Sequence, residues 1–364
     1  MTSCPVRTVK VGDYVVGDNR RVFLVADMAW SHDGSRERAK VIVEAAAAGG
    51  ADAINLHLTR LEQYMVPHYG AGAARVSANR DVGSIYEYLQ SINLEEEDWR
   101  FLFSLARERG LVVSTLCNDL VSLRLAAELS SDLYVVHASA LTDEDFIQEV
   151  SSLGKPVVLG ISGATLGEIE RAVDIVESRS RAGVILQYGF QVYPTKLPDV
   201  HLRFISTLKQ LFGWPVMFAD HTDGDSELAL ILPLVGVAMG ADAVEKHLTH
   251  DRSLRGEDFE SALDPPDFRR FSSLLREVEQ AFGLSTRRPL SGDELLYRQA
   301  VRKRVVARIP IPAGTVITPE HVAIKRSDEG ISPSDLPLLL GRVAVVAMDR
   351  DEGITWEKVG GIRR

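Results

Sequence analysis

Nine histidines occur in the 364-residue chain, and four of them stand at or just past the ends of short apolar runs. These are His57, His137, His221 and His247, with a fifth, His32, in the stretch MAWSHDG that follows the first run. A lone histidine at a strand end is more often a hydrogen-bonded structural residue, so the clustering carries the signal. Imidazole titrates near neutrality and ligates metals readily, so the cluster points to acid–base work or a bound cation. His221 and His247 end the last two runs, and neighbouring strands let two such rings meet one ion; imidazole suits Zn, Mn, Fe or Co. Asp220 and Glu245 flank the pair and are expected to orient the rings. Alternation turns Glu245 to the same side as His247, which also makes it a possible ligand. His57 and His137 are candidates to complete a metal shell or to act as acid–base groups, and Asp27 is a candidate general base, ligand or structural cap. The Pro-containing loop YPTK (193–196) presents Tyr193 nearby, whereas His68, His201, His250 and His321 fall in loops or helices and read as surface residues.

Something must hold those ends at one rim. Strands are expected at 22–27, 52–57, 111–116, 133–137, 156–160, 183–188, 215–220 and 242–247, with stretches of helical period between them. Strand ends then carry Asp27, His57, Thr115, His137, Gly160, Tyr188, His221 and His247. Eight strands, each followed by a crossover, fit a (β/α)8 TIM barrel of α/β class, whose reactive groups sit at the C-terminal strand ends. An open doubly wound sheet is the runner-up, but no glycine-rich fingerprint follows the first strand. VKVGDYVVGDNRR reads as a hairpin ahead of the barrel. Segment 58–94, with Pro67 and a Gly/Ala-rich patch at 70–74, reads as a long active-site loop, partly helical near Ser84–Leu89. Residues 1–284 form the barrel with its hairpin, 285–294 a polar linker, and 295–364 a small β-rich module.

Composition narrows the function. With 45% hydrophobic and 25% charged residues the chain is an ordinary globular protein. A net charge of −10 argues against a nucleic-acid partner, and no run is apolar for long enough to span a membrane. The first residues lack the apolar core of a signal peptide, so the cytoplasm is the expected location. Cys4 and Cys117 form neither a zinc knuckle nor a disulfide framework.

At these residues the chain resembles the sialic acid (N-acetylneuraminate or nonulosonate) synthase family. The likeness runs through VFLVADMAWSHDGSRERAK, SIYEYLQSINLEEEDW, GKPVVLGISGATLGEIERAV, VYPTKLPDVHLRF, FADHT and VEKHLTHDRSLRGEDFESALDPPDF. From IPIPAGTVITPEHVAIKR onward it resembles the family's antifreeze-like (SAF) domain. The resemblance implies a TIM barrel, a SAF domain, and a homodimer in which that domain covers the partner's barrel. It implies condensation of phosphoenolpyruvate with an N-acetylated aminosugar, helped by a divalent metal, Mn2+ or Mg2+, on His221 and His247. Zn2+, Fe2+ or Co2+ remain open. It further matches Asp27 to an acidic residue near the reacting carbons, Tyr193 and Asp258 to sugar-pocket residues, and Arg326 to an arginine reaching in from the SAF domain.

Departures concentrate in one half of the site. Asn55-Leu56-His57 stands where the family carries Lys-Phe-Gln or Lys-His-Gln, and Val135-Val136-His137-Ala138 where it carries Lys-Ile-Gly-Ser. Leu159-Gly160-Ile161-Ser162 replaces Leu-Ser-Thr-Gly, Gln191 an asparagine, and Ala219 a serine. In the family those groups hold the phosphate and carboxylate of phosphoenolpyruvate, and an uncompensated phosphate is costly to desolvate. The expectation is a metal-dependent enzyme making or breaking a carbon–carbon bond by aldol chemistry on a sugar or sugar-like aldehyde. Asp27, His57 and His137 are its catalytic candidates, Tyr193, Asp258 and Arg326 its substrate-binding residues. The alternatives are a standard phosphoenolpyruvate-dependent synthase, a metal-dependent lyase, isomerase or oxygen-using enzyme with a multi-histidine site, and a non-catalytic sugar-binding protein.

Overall fold

The computed structural model describes residues 7–68, 84–283 and 288–362. The Gly/Ala-rich patch at 70–74, Cys4 and the first part of the linker lie outside them. By internal contacts the chain divides into two units, Met1–Gly283 and Leu284–Arg364.

The first unit opens with a hairpin of β1 (Val9–Val11) and β2 (Tyr14–Val16), turned at Gly12 with φ 57°. Eight parallel strands follow: β3 (Phe23–Ala29), β4 (Ala53–Leu58), β5 (Val112–Cys117), β6 (Leu133–Val136), β7 (Val157–Gly160), β8 (Val184–Tyr188), β9 (Val216–Asp220) and β10 (Ala243–His247). They pair in sequence order and close as a barrel, β10 against β3. The strands are almost wholly buried, which explains their continuous apolar runs: one face fills the barrel and the other meets the helices. Helices such as Glu96–Glu108 and Leu166–Arg179 bury one stripe, and capping boxes start both. Between β4 and β5 the described residues include the helix Ile85–Ser91, where local helix is expected.

The outward face of β9 and β10 carries a buried ion pair, Lys246 Nζ to Asp220 Oδ2 at 2.6 Å. That removes Asp220 from the ring-orienting role expected of it; its other oxygen accepts from the Thr222 hydroxyl at 2.6 Å. The inward face of β10 presents Glu245 and His247. After Asp27, the β3–β4 register slips by one residue, since Asp27 pairs with Asn55 and Ala29 with Leu56. Such a bulge re-aims side chains at a strand end, and Ala29 holds φ 42° there.

The first described helix of the second unit, Gly292–Val301, begins in the last residues of the expected linker and runs into the stretch expected to be the β-rich module. Ser291 and Glu294 form its capping box, a start signal in the sequence itself. β11 (Lys303–Ala307) pairs antiparallel with β12 (Val322–Arg326), and β13 (Arg342–Ala344) with β14 (Val359–Ile362). Val305, Ile311, Ile317, Leu339 and Ile354 make its core.

Candidate functional site

At the C-terminal rim, β10, β3 and β4 run side by side, with His247 opposite Asp27 and Asp27 opposite Asn55. Asp27 is the hub. Its Oδ1 lies 3.0 Å from His57 Nε2 and accepts from Asn55 Nδ2 at 3.3 Å and from the Ala29 amide at 3.0 Å. Its Oδ2 lies 3.6 Å from His247 Nε2. Asn55 is fixed in turn by the Ser114 hydroxyl, which donates to its Oδ1 at 3.0 Å. Burial alone would raise the Asp27 carboxyl, but the His57 and His247 rings and the hydrogen bonds from His57 and Ala29 outweigh it. They hold the group well below the usual carboxylate range.

His221 and His247 converge, with ring centroids 5.1 Å apart. His221 Nδ1 lies 2.9 Å from the Phe190 carbonyl oxygen, which can only accept. The proton is therefore on Nδ1, and Nε2 keeps its lone pair. His247 Nδ1 is buried with no hydrogen-bond partner among the described residues, and its Nε2 is too far from Asp27 for a hydrogen bond. Burial pushes His221 down to about 4 and His247 to about 3, so both rings are neutral near neutral pH. Neutral imidazoles with uncommitted nitrogens are what a divalent cation requires, and this pair fits one. Among the described residues no three His, Cys, Asp or Glu side chains gather as a metal set. His57 turns its Nε2 to Asp27, and His137 its Nδ1 to Ser139.

Tyr193 packs against both rings, 4.4 Å from His221 and 5.5 Å from His247 between centroids. The loop that carries it leaves β8 at Gly189, where a Cβ would lie 2.2 Å from the Ala219 carbonyl oxygen, so only glycine allows this approach to β9. Thr195 then ties the loop down, its amide donating to the His221 carbonyl at 2.8 Å. Burial raises the Tyr193 phenol well above its usual range, and Asp258, Asp27 and Glu245 push the same way, so all four groups share one region. Asp258 is itself buried at φ 62°, and burial raises its carboxyl, with Glu257 and Asp27 adding to the shift. Backbone strain of this kind concentrates at functional sites. Glu245 Oε1 accepts from Gln187 Nε2 at 2.6 Å while Oε2 is buried without a partner among the described residues. Burial, with Asp27 adding to it, raises the Glu245 carboxyl well above its usual range.

His137 Nδ1 accepts from the Ser139 amide at 3.2 Å and lies 2.8 Å from its hydroxyl. Burial, then the charge of His57, brings this ring down to about 4. His32 is fully buried, accepts from the Gly34 amide at 3.1 Å and is pushed by burial to about 3. Both ring nitrogens of His250 are also out of solvent, against the surface position expected of it. Arg326 ends β12 opposite Lys303 and is exposed within its own unit. Asn55, Ser114, Gln187 and Ser139 were not among the residues expected to matter. Counting by twos from His57 would have found Asn55, because it turns to the same face of β4; the others needed the strand register.

Residues 42–287, more than half of the chain, match the NeuB family model. The chain belongs to the NeuB family. Residues 302–360 match the SAF domain. An uncharacterised protein of Methanocaldococcus jannaschii is 29% identical, the match covering 97% of this chain and 99% of that one. The N,N'-diacetyllegionaminic acid synthase of Legionella pneumophila is 26% identical, over 94% and 96% of the two chains. Human N-acetylneuraminate-9-phosphate synthase is 25% identical, over 94% of each. Among solved structures, a sialic acid synthetase from Leptospira borgpetersenii superposes with a TM-score of 0.70 at 22% identity, covering 81% of this chain and 98% of that one. A putative spore coat polysaccharide biosynthesis protein E from Chromobacterium violaceum gives 0.77 at 19% identity, over 93% and 99%. The NeuB barrel and its SAF domain thus account for the architecture, a TIM barrel followed by a small β-rich module. No helix among the described residues is long and apolar enough to cross a membrane.

Proposed function

We propose that this NeuB-family protein is a metal-dependent enzyme that makes or breaks a carbon–carbon bond by aldol chemistry on an open-chain sugar or sugar-like aldehyde. The observation that supports it most is the convergence of His221 and His247 beside Asp27 under the Tyr193 ring. His221 and His247 would hold a divalent ion, Mn2+ or Mg2+ by family likeness, which when bound supplies Lewis acidity to a carbonyl. The chain's own residues do the rest. Asp27 fixes the His57 ring through Nε2, and His57 moves the proton that bond formation or cleavage requires. Tyr193 closes one side of the mouth and excludes water from the rings. Asp258, turned in by its strained backbone, offers a carboxyl to the polyol hydroxyls. Relatives named as legionaminic acid and N-acetylneuraminate-9-phosphate synthases favour an N-acetylated aminosugar as the aldehyde. A cytoplasmic homodimer completes the reading.

The test is product formation. Purified protein with Mn2+ is incubated with N-acetylhexosamines and three-carbon donors, and mass spectrometry seeks a chain longer by three carbons. Such a product, lost in His247→Ala, is expected. No product from protein that demonstrably holds the metal contradicts the reading.

A further inference from the structure

Asp258 stands in a turn whose backbone is strained on both sides. Arg255 and Asp258 sit at φ 48° and 62° and bracket Gly256 and Glu257 in the connection after β10. Neither is glycine, so such a conformation persists only where its surroundings fix it. Those surroundings converge on Glu257. Its amide donates to Asp33 Oδ1 at 2.9 Å, and its carbonyl accepts from the Ser31 hydroxyl at 3.2 Å. Arg38 Nη1 donates to the other Asp33 oxygen at 3.2 Å. A Cβ on Gly256 would lie 2.2 Å from that same oxygen, so only glycine admits this approach. The connection after β3 thus grips one side of the turn.

A second grip comes from far along the chain. The Tyr88 hydroxyl, on the helix Ile85–Ser91 between β4 and β5, donates to Glu257 Oε2 at 2.6 Å. Glu257 is buried, and a hydrogen bond shielded from water is electrostatically stronger than one in it. The next residue is Asp258, whose carboxyl accepts from the Trp30 amide and shares the mouth with Tyr193 and Asp27. A turn pinned at its backbone and strained at both ends cannot move the Glu257 side chain without rotating its neighbour. The placement of Tyr88 is therefore passed on to the Asp258 carboxyl. His221 is placed by a different group, the Phe190 carbonyl, so a loss at Tyr88 falls on the Asp258 side of the mouth.

We propose that Tyr88 is a positioning residue for sugar recognition, which through Glu257 sets the direction of the Asp258 carboxyl toward the hydroxyls of an N-acetylated aminosugar. This rests on the aldol reading above, which supplies the sugar and the role of Asp258, and it adds the residues that aim that carboxyl. Tyr88 acts through Glu257 and has no part in the bond-making step. Hydrogen bonds weaken steeply away from linearity, so a carboxyl rotated by its backbone loses hydroxyl contacts while the metal pair keeps its place.

A double-mutant cycle read by calorimetry tests it. N-acetylmannosamine is titrated into the full chain saturated with Mn2+, for the native protein, Tyr88→Phe, Asp258→Gly and the two combined. Tyr88→Phe removes only the hydroxyl and is expected to weaken sugar binding about 5–20-fold, with Mn2+ affinity unchanged. Glu257→Gln keeps an oxygen that accepts from Tyr88 and is expected to stay within about threefold of native. Asp258→Gly removes the carboxyl and adopts the positive φ without strain. In that background Tyr88→Phe is expected to change affinity less than about twofold, because no carboxyl remains to be aimed. Unchanged affinity in Tyr88→Phe, or an equal loss with and without the Asp258 side chain, overturns the proposal and leaves the aldol reading in place. Mn2+ affinity that falls together with sugar affinity marks a general structural role and overturns it too. Failure of native, Mn2+-loaded protein to bind N-acetylmannosamine or any other N-acetylhexosamine overturns the sugar reading and the proposal together.

Discussion

Asp27 is contacted by His57, Asn55 and the Ala29 amide and faces the His247 ring, so changes at single residues around it read out on different observables. The rings of His32, His221 and His247 are all buried, and burial lowers them to about 3, 4 and 3 from an ordinary 6.5. Each folded ring is harder to protonate than in the unfolded chain. Stability is therefore complete above about pH 6.5 and falls as the pH drops toward 4, at no more than about 1.4 kcal/mol per pH unit for each ring. Urea midpoints of metal-free protein between about pH 7 and pH 5 should fall accordingly. His32→Gln, which removes one buried proton site, should flatten the slope; an unchanged slope would contradict burial as its cause. The histidines were legible because their residue type is rare and their strand-end placement was not random. Their partners were not, since serine, asparagine and glutamine are too common for type alone to mark Ser114, Asn55 and Gln187.

Among the elements, β9 and β10 illustrate how strand alternation divides labour. His221, Glu245 and His247 face the barrel, while Asp220 and Lys246 face the helices and neutralise each other with side-chain exposures of 1% and 0%. Lys246→Met leaves a buried carboxylate unpaired and should cost about 3–5 kcal/mol, measured by urea unfolding. Asp220→Leu combined with Lys246→Met should recover part of the loss; a double variant worse than the single would contradict the account. The sequence motif FADHT…VEKH held both residues in plain view, yet the expectation that Asp220 orients His221 failed. Neighbours in sequence point to opposite faces of a strand, and the orienting partner is instead the carbonyl of Phe190, far along the chain. All eight strands were legible because buried parallel strands are continuous apolar runs. The helix Gly292–Val301 straddles the expected boundary at 294 because its polar, Gly-containing start masked the Ser291–Glu294 capping box.

For the molecule as a whole, the barrel supplies a rim on which strand register alone brings Asp27, Asn55, His57 and His247 together. For the proposed homodimer, multi-angle light scattering of the full chain should give twice the monomer mass; a monomer at working concentration contradicts that part of the reading. The claim on which the proposed chemistry depends is narrower: one divalent ion on His221 and His247, with His57 and His137 outside its shell. Anomalous diffraction from a crystal soaked in Mn2+ tests it most directly. The account predicts a single strong peak in contact with ring nitrogens of both His221 and His247 and with neither His57 nor His137. A peak held by His57 or His137, or an empty space between the two rings at saturating metal, would contradict it.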